Sequence, residues 1–233
     1  MPKTDITEAI LLVGGLGTRL KSVVAEKPKA MADINGKPFL EYLLDSLIKN
    51  GIERVVLAVG YKHAMITEHF KDGYKNLDID FAIEKEPLGT GGAIVNALKK
   101  AKAPRVLILN GDVLCTFNIE ELCSKAKLQI TAIEVPDVSR YGSLQVRDDN
   151  LISFKEKGET GKGLINAGIY LADKDVFADY NVGDKFSFEL DFMPSYLKNN
   201  EVKIKAIDCD IFIDIGTPED YSKAQKLFKT LDT

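Results

Sequence analysis

The sequence predicts an α/β fold on a mainly parallel central sheet, followed by a mixed-sheet lobe. Three observations carry this expectation. Short, wholly apolar segments alternate with amphipathic ones through the first half; several of those apolar segments run straight into glycine- or aspartate-bearing turns; and from about residue 129 the apolar runs become short and partly alternating. Continuous apolar strands belong to parallel sheets covered on both faces, whereas alternation marks strands with one solvated face. At 233 residues the chain is long enough to bury a full core. No low-complexity linker or internal repeat divides it, so one continuous domain, 1–233, is expected, with parts of about 1–128 and about 129–233.

Element by element, AILLV (9–13) reads as a buried strand. Residues 38–50 read as a helix: Pro38 suits the first turn, apolar residues recur at 39, 40, 43, 44, 47 and 48, and Asn50-Gly51 suits its C-terminal end. RVVLAV (54–59) is a strand, HAMITEHF (63–70) a short helix, IDFAIE (79–84) a strand, GGAIVNALKKA (91–101) a helix opening on glycines, and RVLILN (105–110) a strand. In the second part, ITAIEV (130–135), GSLQV (142–146), LISFKEK (151–157) and AGIYLA (167–172) have β character. A helix is expected near 188–199, then a strand at VKIKAI (202–207). The segment IFIDIGTPEDYSKAQKLFKTL (211–231) reads as strand, turn and closing helix.

A formal net charge of −4 argues against a nucleic-acid binder built on a basic face, while leaving room for a small polyanionic ligand held by a few local cations. No stretch approaches eighteen consecutive apolar residues and MPKTDIT lacks a signal-peptide core, so no membrane association and a cytoplasmic location are expected. Cys115, Cys123 and Cys209 are odd in number and lack CxxC spacing, as in a reducing compartment where thiols serve as small hydrophobes. His63 and His69, six apart, are expected at the surface rather than on a metal, as are Asp208 and Asp210.

Ligands of parallel sheets sit at the carboxyl ends of the strands. Four segments fall there and should line one crevice: GGLGTRL (14–20), the Gly60-Tyr61 turn, EPLGTGG (86–92) and Gly111-Asp112. The first is not a dinucleotide fingerprint, because GxGxxG fails at Leu20. No Walker A loop is present either; the nearest approach, EKGETGKG (156–163), fails at both ends. What remains is a strand running into glycines whose N–H groups form an anion-binding concavity, with Arg19 as a planar fork and Lys29 as a mobile point charge. Six specified residues in seven positions occur by chance about 10⁻⁷ times per start at average usage, which favours a phosphate-binding loop over a plain corner.

GGLGTRL followed by KPKAM (27–31) resembles the signature of the sugar-phosphate nucleotidylyltransferases, which join a nucleoside triphosphate to a sugar 1-phosphate. The resemblance continues in order through EPLGTGGA (86–93), LNGD (109–112), RYG (140–142), FKEK (154–157), INAGIY (165–170) and FIDIGTPEDY (212–221). It implies the Rossmann-like nucleotide-diphospho-sugar transferase fold, with a nucleotide-binding first part and a sugar-phosphate-binding second part. A nucleotide site of Leu12, Gly14, Gly15, Gly17, Thr18, Arg19, Glu86, Gly89, Thr90, Gly91, Gly92 and Asn110 is implied, with Thr90 also suited to cap its own helix. Arg19 and Lys29 would sit on the triphosphate, where charge shifts to the leaving pyrophosphate. Ala30 departs from the proline usual in the family, which implies a slightly less rigid loop around Lys29.

By the same resemblance Asp112 and Asp214, each just after an apolar strand, would hold Mg²⁺. Tyr141, Gly142, Glu156, Lys157, Asn166 and Gly168 would bind the sugar 1-phosphate, with Arg19, Lys29, Asp112 and Lys157 carrying catalysis. A glycosyltransferase of related fold is the rival enzyme class, but its DxD motif is matched only by DCD (208–210) late in the chain. A non-catalytic sensor should have lost Arg19, Lys29, Asp112 or Asp214, and all four are present.

Among compact members, EKEPLGTGGAI (84–94), GLINAGIYL (163–171) and KFSFELDF (185–192) are most similar to those that transfer guanylyl from GTP to a heptose 1-phosphate for surface polysaccharide. Mannose 1-phosphate guanylyltransferases and MurNAc 1-phosphate uridylyltransferases are the alternatives. Family members also suggest a homodimer.

Overall fold

A computed structural model describes residues 5–20, 23–24, 26–122, 124–155 and 158–231. In chain order the elements are β1 (Glu8–Leu12), a small hairpin of β2 (Asp33–Ile34) and β3 (Lys37–Pro38), α1 (Phe39–Lys49), β4 (Arg54–Val59), α2 (His63–His69), β5 (Asp78–Ile83), α3 (Gly89–Leu98), β6 (Arg105–Asn110) and β7 (Val113–Cys115). The second part adds β8 (Leu128–Val135), β9 (Leu144–Arg147), β10 (Asn150–Phe154), β11 (Gly163–Asp173), α4 (Met193–Tyr196), β12 (Lys203–Ala206), β13 (Phe212–Asp214) and α5 (Pro218–Leu231).

Among the described residues nine strands form one sheet in the order β5-β4-β1-β6-β11-β8-β12-β10-β9. As the apolar runs predict, β5, β4, β1 and β6 pair in parallel. Beyond β6 the sheet is mixed: β11 runs antiparallel to both β6 and β8, and β12 lies parallel to β8. A separate antiparallel pair joins β13 to β7.

Both faces of the sheet are covered, and alternate residues of each strand feed opposite cores. Leu11 and Leu107 point into one, with Phe39, Leu43 and Leu47 of α1 and Phe228 of α5. Ile10, Val106 and Ile108 point into the other, with Ile94 and Leu98 of α3 and the aromatic group Tyr170, Phe177, Phe188 and Phe192. Helix α1 ends as its sequence indicates: Asn50 Nδ2 donates to Ser46 O (2.9 Å), and Gly51 takes a positive φ of 77°. At the amino ends of the strands Arg54 is clasped by Glu8 (3.0 Å), Asp80 (3.0 Å) and Asp78, while Glu8 also accepts from the Lys102 and Ala103 amides.

Two expected helices differ in extent. Helix α3 begins at Gly89 rather than Gly91 and ends at Leu98. The segment expected as a helix over 188–199 is a π-helical turn, Phe188–Phe192, leading into the four-residue α4. Pro194 has no N–H to return to the turn before it, and the Asp191 and Phe192 amides both bond to Ser187 O instead.

The glycines of α3 are packing requirements. A Cβ on Gly91 would lie 2.1 Å from the Phe186 ring, and one on Gly92 only 2.2 Å from Asp184 O. Helix propensity alone favours alanine over glycine by about 1 kcal/mol. A methyl driven into backbone cannot be accommodated by a rotamer change, so Gly92→Ala is expected to destabilise the fold by about 1–3 kcal/mol, measurable by urea unfolding. Gly15→Ala, with nothing within 4 Å of its Cβ, is the control.

Candidate active site

The carboxyl ends of β1, β4, β5 and β6 open on a cleft of about 1080 Å³. All four strand-end segments expected to share a crevice do so: Gly14 to Thr18, Gly60-Tyr61, Glu86, Pro87, Gly89 and Thr90, and Gly111-Asp112 contribute to its walls. Backbone bonds tie these exits together, from Gly111 N to Leu12 O (3.0 Å), Tyr61 N to Gly14 O (3.1 Å) and Glu84 N to Val59 O (2.8 Å). The approach at the glycine loop is close, since a Cβ on Gly14 would stand 3.0 Å from Gly60 N and 3.3 Å from Glu84 Oε1.

Lys29, from a 3-10 turn after Pro28, is largely buried against the loop, its Cβ filling the space a side chain on Gly17 would need. Its Nζ sits 2.6 Å from Asp112 Oδ2 and 3.9 Å from Asp214 Oδ1. The β7–β13 pairing explains how two acids about a hundred residues apart meet. Asp112 precedes β7 and Asp214 ends β13, in register with Val113, and Ile215 N donates to Asp112 O (3.0 Å). Burial, then the nearby charge of Asp112, raises the Asp214 pKa above its ordinary value, with Lys29 and the Gly216 amide opposing (2.6 Å to Oδ1).

Two hard carboxylates, one of them made unfavourable as an anion by burial and its neighbour, fit a small divalent cation. Among the described residues no third His, Cys, Asp or Glu completes the set, so remaining positions would fall to phosphate oxygens and water.

Leu12, Glu86, Gly89, Thr90 and Asn110 also line the cleft. Arg19 is exposed on the turn Thr18–Leu20 and stands outside the cleft wall. Gly91 and Gly92 depart from expectation: both amides donate to Phe186 O (3.0 and 3.4 Å), which leaves neither for a ligand. Thr90 does not cap its own helix, whose N-cap residue is Leu88; its Oγ1 accepts from Phe188 N (2.9 Å). Tyr141 is half-buried with its ring 6.0 Å from Phe212, and burial raises its pKa, with smaller effects from Asp214 and Asp220. It therefore lies on the acid-pair side of the molecule, with Gly142 packed on Lys155 O. Glu156 and Lys157 lie outside the described residues.

Asn166 is engaged within the chain. Its Nδ2 lies 2.7 Å from both Tyr170 OH and Glu189 Oε1, and its Oδ1 accepts from Gly168 N (2.9 Å). Gly168, at φ 70°, packs directly on the Asn110 side chain. It is Tyr170 and Glu189 that reach the cleft. His63 is a further correction. It is half-buried and lines the cleft, with its Nδ1 enclosed and without a hydrogen-bond partner. His69 is exposed beside Glu41, and Asp208 and Asp210 are exposed as expected.

Glu84 is a cleft residue that the sequence motifs do not single out. Its Oε2 accepts from Leu88 N (3.2 Å), its Oε1 faces the Gly14–Gly60 approach, and burial raises its pKa. Its position at the end of β5 was the available signal.

The parallel strand ends gather a glycine loop, Lys29 and Asp112, and the β7–β13 pair sets Asp214 beside them, an arrangement suited to a transferase of phosphate-bearing substrates. The chain belongs to the nucleotidyl transferase family, whose model matches residues 8–230. D-glycero-alpha-D-manno-heptose 1-phosphate guanylyltransferase of Aneurinibacillus thermoaerophilus is 45% identical over 94% of this chain and 97% of its own length. The Campylobacter jejuni protein of the same name is 48% identical over 92% of this chain and 96% of its own. Among solved structures, HddC from Yersinia pseudotuberculosis is 45% identical and superposes with a TM-score of 0.87 over 96% of this chain and 100% of its own. That protein has also been solved in complex with GMP-PN. No helix among the described residues is long and apolar enough to cross a membrane.

A pH test follows from the acid pair. With the folded pKa of Asp214 above the ordinary 3.8, the folded state binds the extra proton in the window between the two values, so stability falls as pH rises through that window. Asp214→Asn removes the penalty. The variant is expected to melt higher than the parent at pH 7, with the difference closing as pH falls through that window and gone below about 4, where both side chains are neutral. A lower melting point at neutral pH would contradict the assignment.

Proposed function

We propose that this chain transfers the guanylyl group of GTP to D-glycero-α-D-manno-heptose 1-phosphate, giving GDP-heptose and pyrophosphate for surface polysaccharide in the cytoplasm. Carrying this reading is the identity of 45% and 48%, over more than nine-tenths of both chains, to two proteins named for that reaction. The cleft supports it, because the Gly14–Gly17 loop, Lys29 and Asp112 line one wall system at the strand ends.

The reaction is an in-line displacement at the α-phosphorus, with the sugar-phosphate oxygen attacking and pyrophosphate leaving. The attacking oxygen is already ionised at neutral pH, so no general base is needed, and the work is positioning and charge neutralisation. Holding two reactants in line is worth up to roughly 7–11 kcal/mol of barrier. In this proposal the Gly14–Gly17 amides cradle the phosphates, while Lys29 and Arg19 balance charge moving toward the leaving group. Asp112 and Asp214 would hold Mg²⁺, which when bound supplies positive charge to phosphate oxygens of both substrates. Lys157 would clamp the sugar phosphate, and Tyr141, Gly142 and Glu156 would contact the sugar.

Glu84 favours guanine. The base edge of guanine presents an adjacent ring N–H and exocyclic amino group, both donors, and the free oxygen of a carboxylate held by the Leu88 amide is a matching acceptor.

Pyrophosphate release from a panel of four nucleoside triphosphates against heptose, mannose, glucose and MurNAc 1-phosphates tests the reading. Turnover is expected with GTP and the heptose substrate; turnover with UTP but not GTP would sink it. Asp112→Asn is expected to lower kcat about 10²–10³-fold with nucleotide binding partly retained, and wild-type rates would refute its role. Glu84→Gln should lower kcat/KM for GTP about 10–100-fold, the worth of one or two charge-assisted hydrogen bonds, while leaving the melting point unchanged or higher.

A further inference from the structure

The transferase reading leaves one pair of reactive groups unused. Cys115 ends β7, and Cys209 lies in the segment that leads into β13. Their Sγ atoms are 2.8 Å apart, although 94 residues separate them in the chain. The two backbones are locked together around the sulfurs: Thr116 N donates to Ile211 O (2.9 Å), and Ile211 N donates to Thr116 Oγ1 (3.1 Å). Further along the same ladder Cys115 stands opposite Phe212. Cys115 is buried at 3% exposure, whereas Cys209 is only partly buried. Among the described residues no third ligand joins the sulfurs to make a metal site.

We propose that Cys209 and Cys115 form a peroxide-reactive dithiol, in which Cys209 is the attacking thiol and Cys115 the resolving one. The Cys209 thiolate attacks the distal oxygen of a hydroperoxide. The O–O bond breaks, the alcohol or water leaves as its anion and takes up a proton, and Cys209 becomes a sulfenic acid. The Cys115 sulfur then attacks Cys209 Sγ, the S–O bond breaks, and the hydroxyl leaves as water with the Cys115 proton. The two electrons lost by the thiols reduce the hydroperoxide, so no other oxidant is required.

The asymmetry of the pair supports these roles. The adjacent Cys115 sulfur, with smaller help from Thr116, lowers the Cys209 thiol below its ordinary value against the opposing effect of burial. The same bond, together with burial, raises Cys115. A more acidic thiol on the less buried residue beside a less acidic one on the more buried residue is the order that attack followed by resolution needs. The product would bridge β7 to the segment entering β13, the two strands that bring Asp112 and Asp214 together.

The test uses the full chain, fully reduced, treated with hydrogen peroxide, blocked with an alkylating agent and mapped by mass spectrometry. The expected result is a linked pair of peptides containing Cys115 and Cys209, loss of two of the three titratable thiols, an upward shift of the melting point, and reversal of all three by dithiothreitol. In Cys115→Ser, dimedone should trap a sulfenic acid at Cys209; in Cys209→Ser, no adduct should form at Cys115. Recovery of Cys115 and Cys209 both alkylated while Cys123 is oxidised would overturn the proposal, as would a link through Cys123. Because the readout is thiol chemistry, it stands or falls separately from the guanylyltransfer assay.

Discussion

Strand register governs this molecule more than any single contact. β1 is in parallel register with β4 on one side and β6 on the other, so that Leu12 faces both Ala58 and Asn110, and β5 continues the alignment at Ala82. Four strands therefore end at one level, and the residues that follow them emerge side by side. Had one strand slipped by a single residue, its apolar set would have faced the wrong core and its exit would have left the cleft. The near-contact of Gly14 with Gly60 is what this alignment demands of the sequence, since two chains leaving adjacent strands at one level have no room for side chains between them.

The two edges of that aligned layer are treated in opposite ways. At the amino ends Arg54 and Glu8 are almost fully enclosed, and each finds several partners, which is how buried charge is made tolerable. At the carboxyl ends Asp214 is also partly enclosed, yet it faces another carboxylate, and Lys29 serves both acids at unequal distance. One edge is satisfied by the protein alone and the other is not. Charges held in such a state are where a polyanion and its counter-ion gain most, and natural folds tolerate the associated loss of stability at sites of function.

The legible parts of the sequence were those set by local pattern. β1, α1, β4 and β6 follow from apolar runs and helical spacing, and the crevice follows from where those runs end. The glycine loop, Lys29, Asp112 and Asp214 stood out because residue type and strand-end position coincide. What could not be read depends on partners far along the chain. Nothing near Thr90 indicates that its hydroxyl serves Phe188, and nothing near His63 indicates that it turns toward the cleft. Phe188, Phe192 and Tyr196 recur at the spacing of a continuous helix. Ring stacking satisfies that spacing, but Pro194 interrupts the backbone ladder, so the chain widens into a π-helical turn before α4.

The seam between the two parts explains why the second could not be resolved into site residues by motif alone. β11 lies antiparallel beside β6, and its pairing with β8 is irregular between Asn166 and Tyr170. In a regular strand those two residues would be roughly 13 Å apart, beyond direct contact for an asparagine and a tyrosine standing perpendicular to the sheet. The irregularity bends the strand, and Asn166 Nδ2 meets Tyr170 OH at 2.7 Å. Tyr170 in turn bonds to Asn110 at the end of β6, and Glu189 closes the network from the π-helical turn. One chain of hydrogen bonds thus runs from the end of a parallel strand, across the antiparallel seam, to the opposite wall of the cleft. The INAGIY block thus fixes Glu189 and its own Tyr170 at that wall, with both polar atoms of Asn166 bonded within the chain.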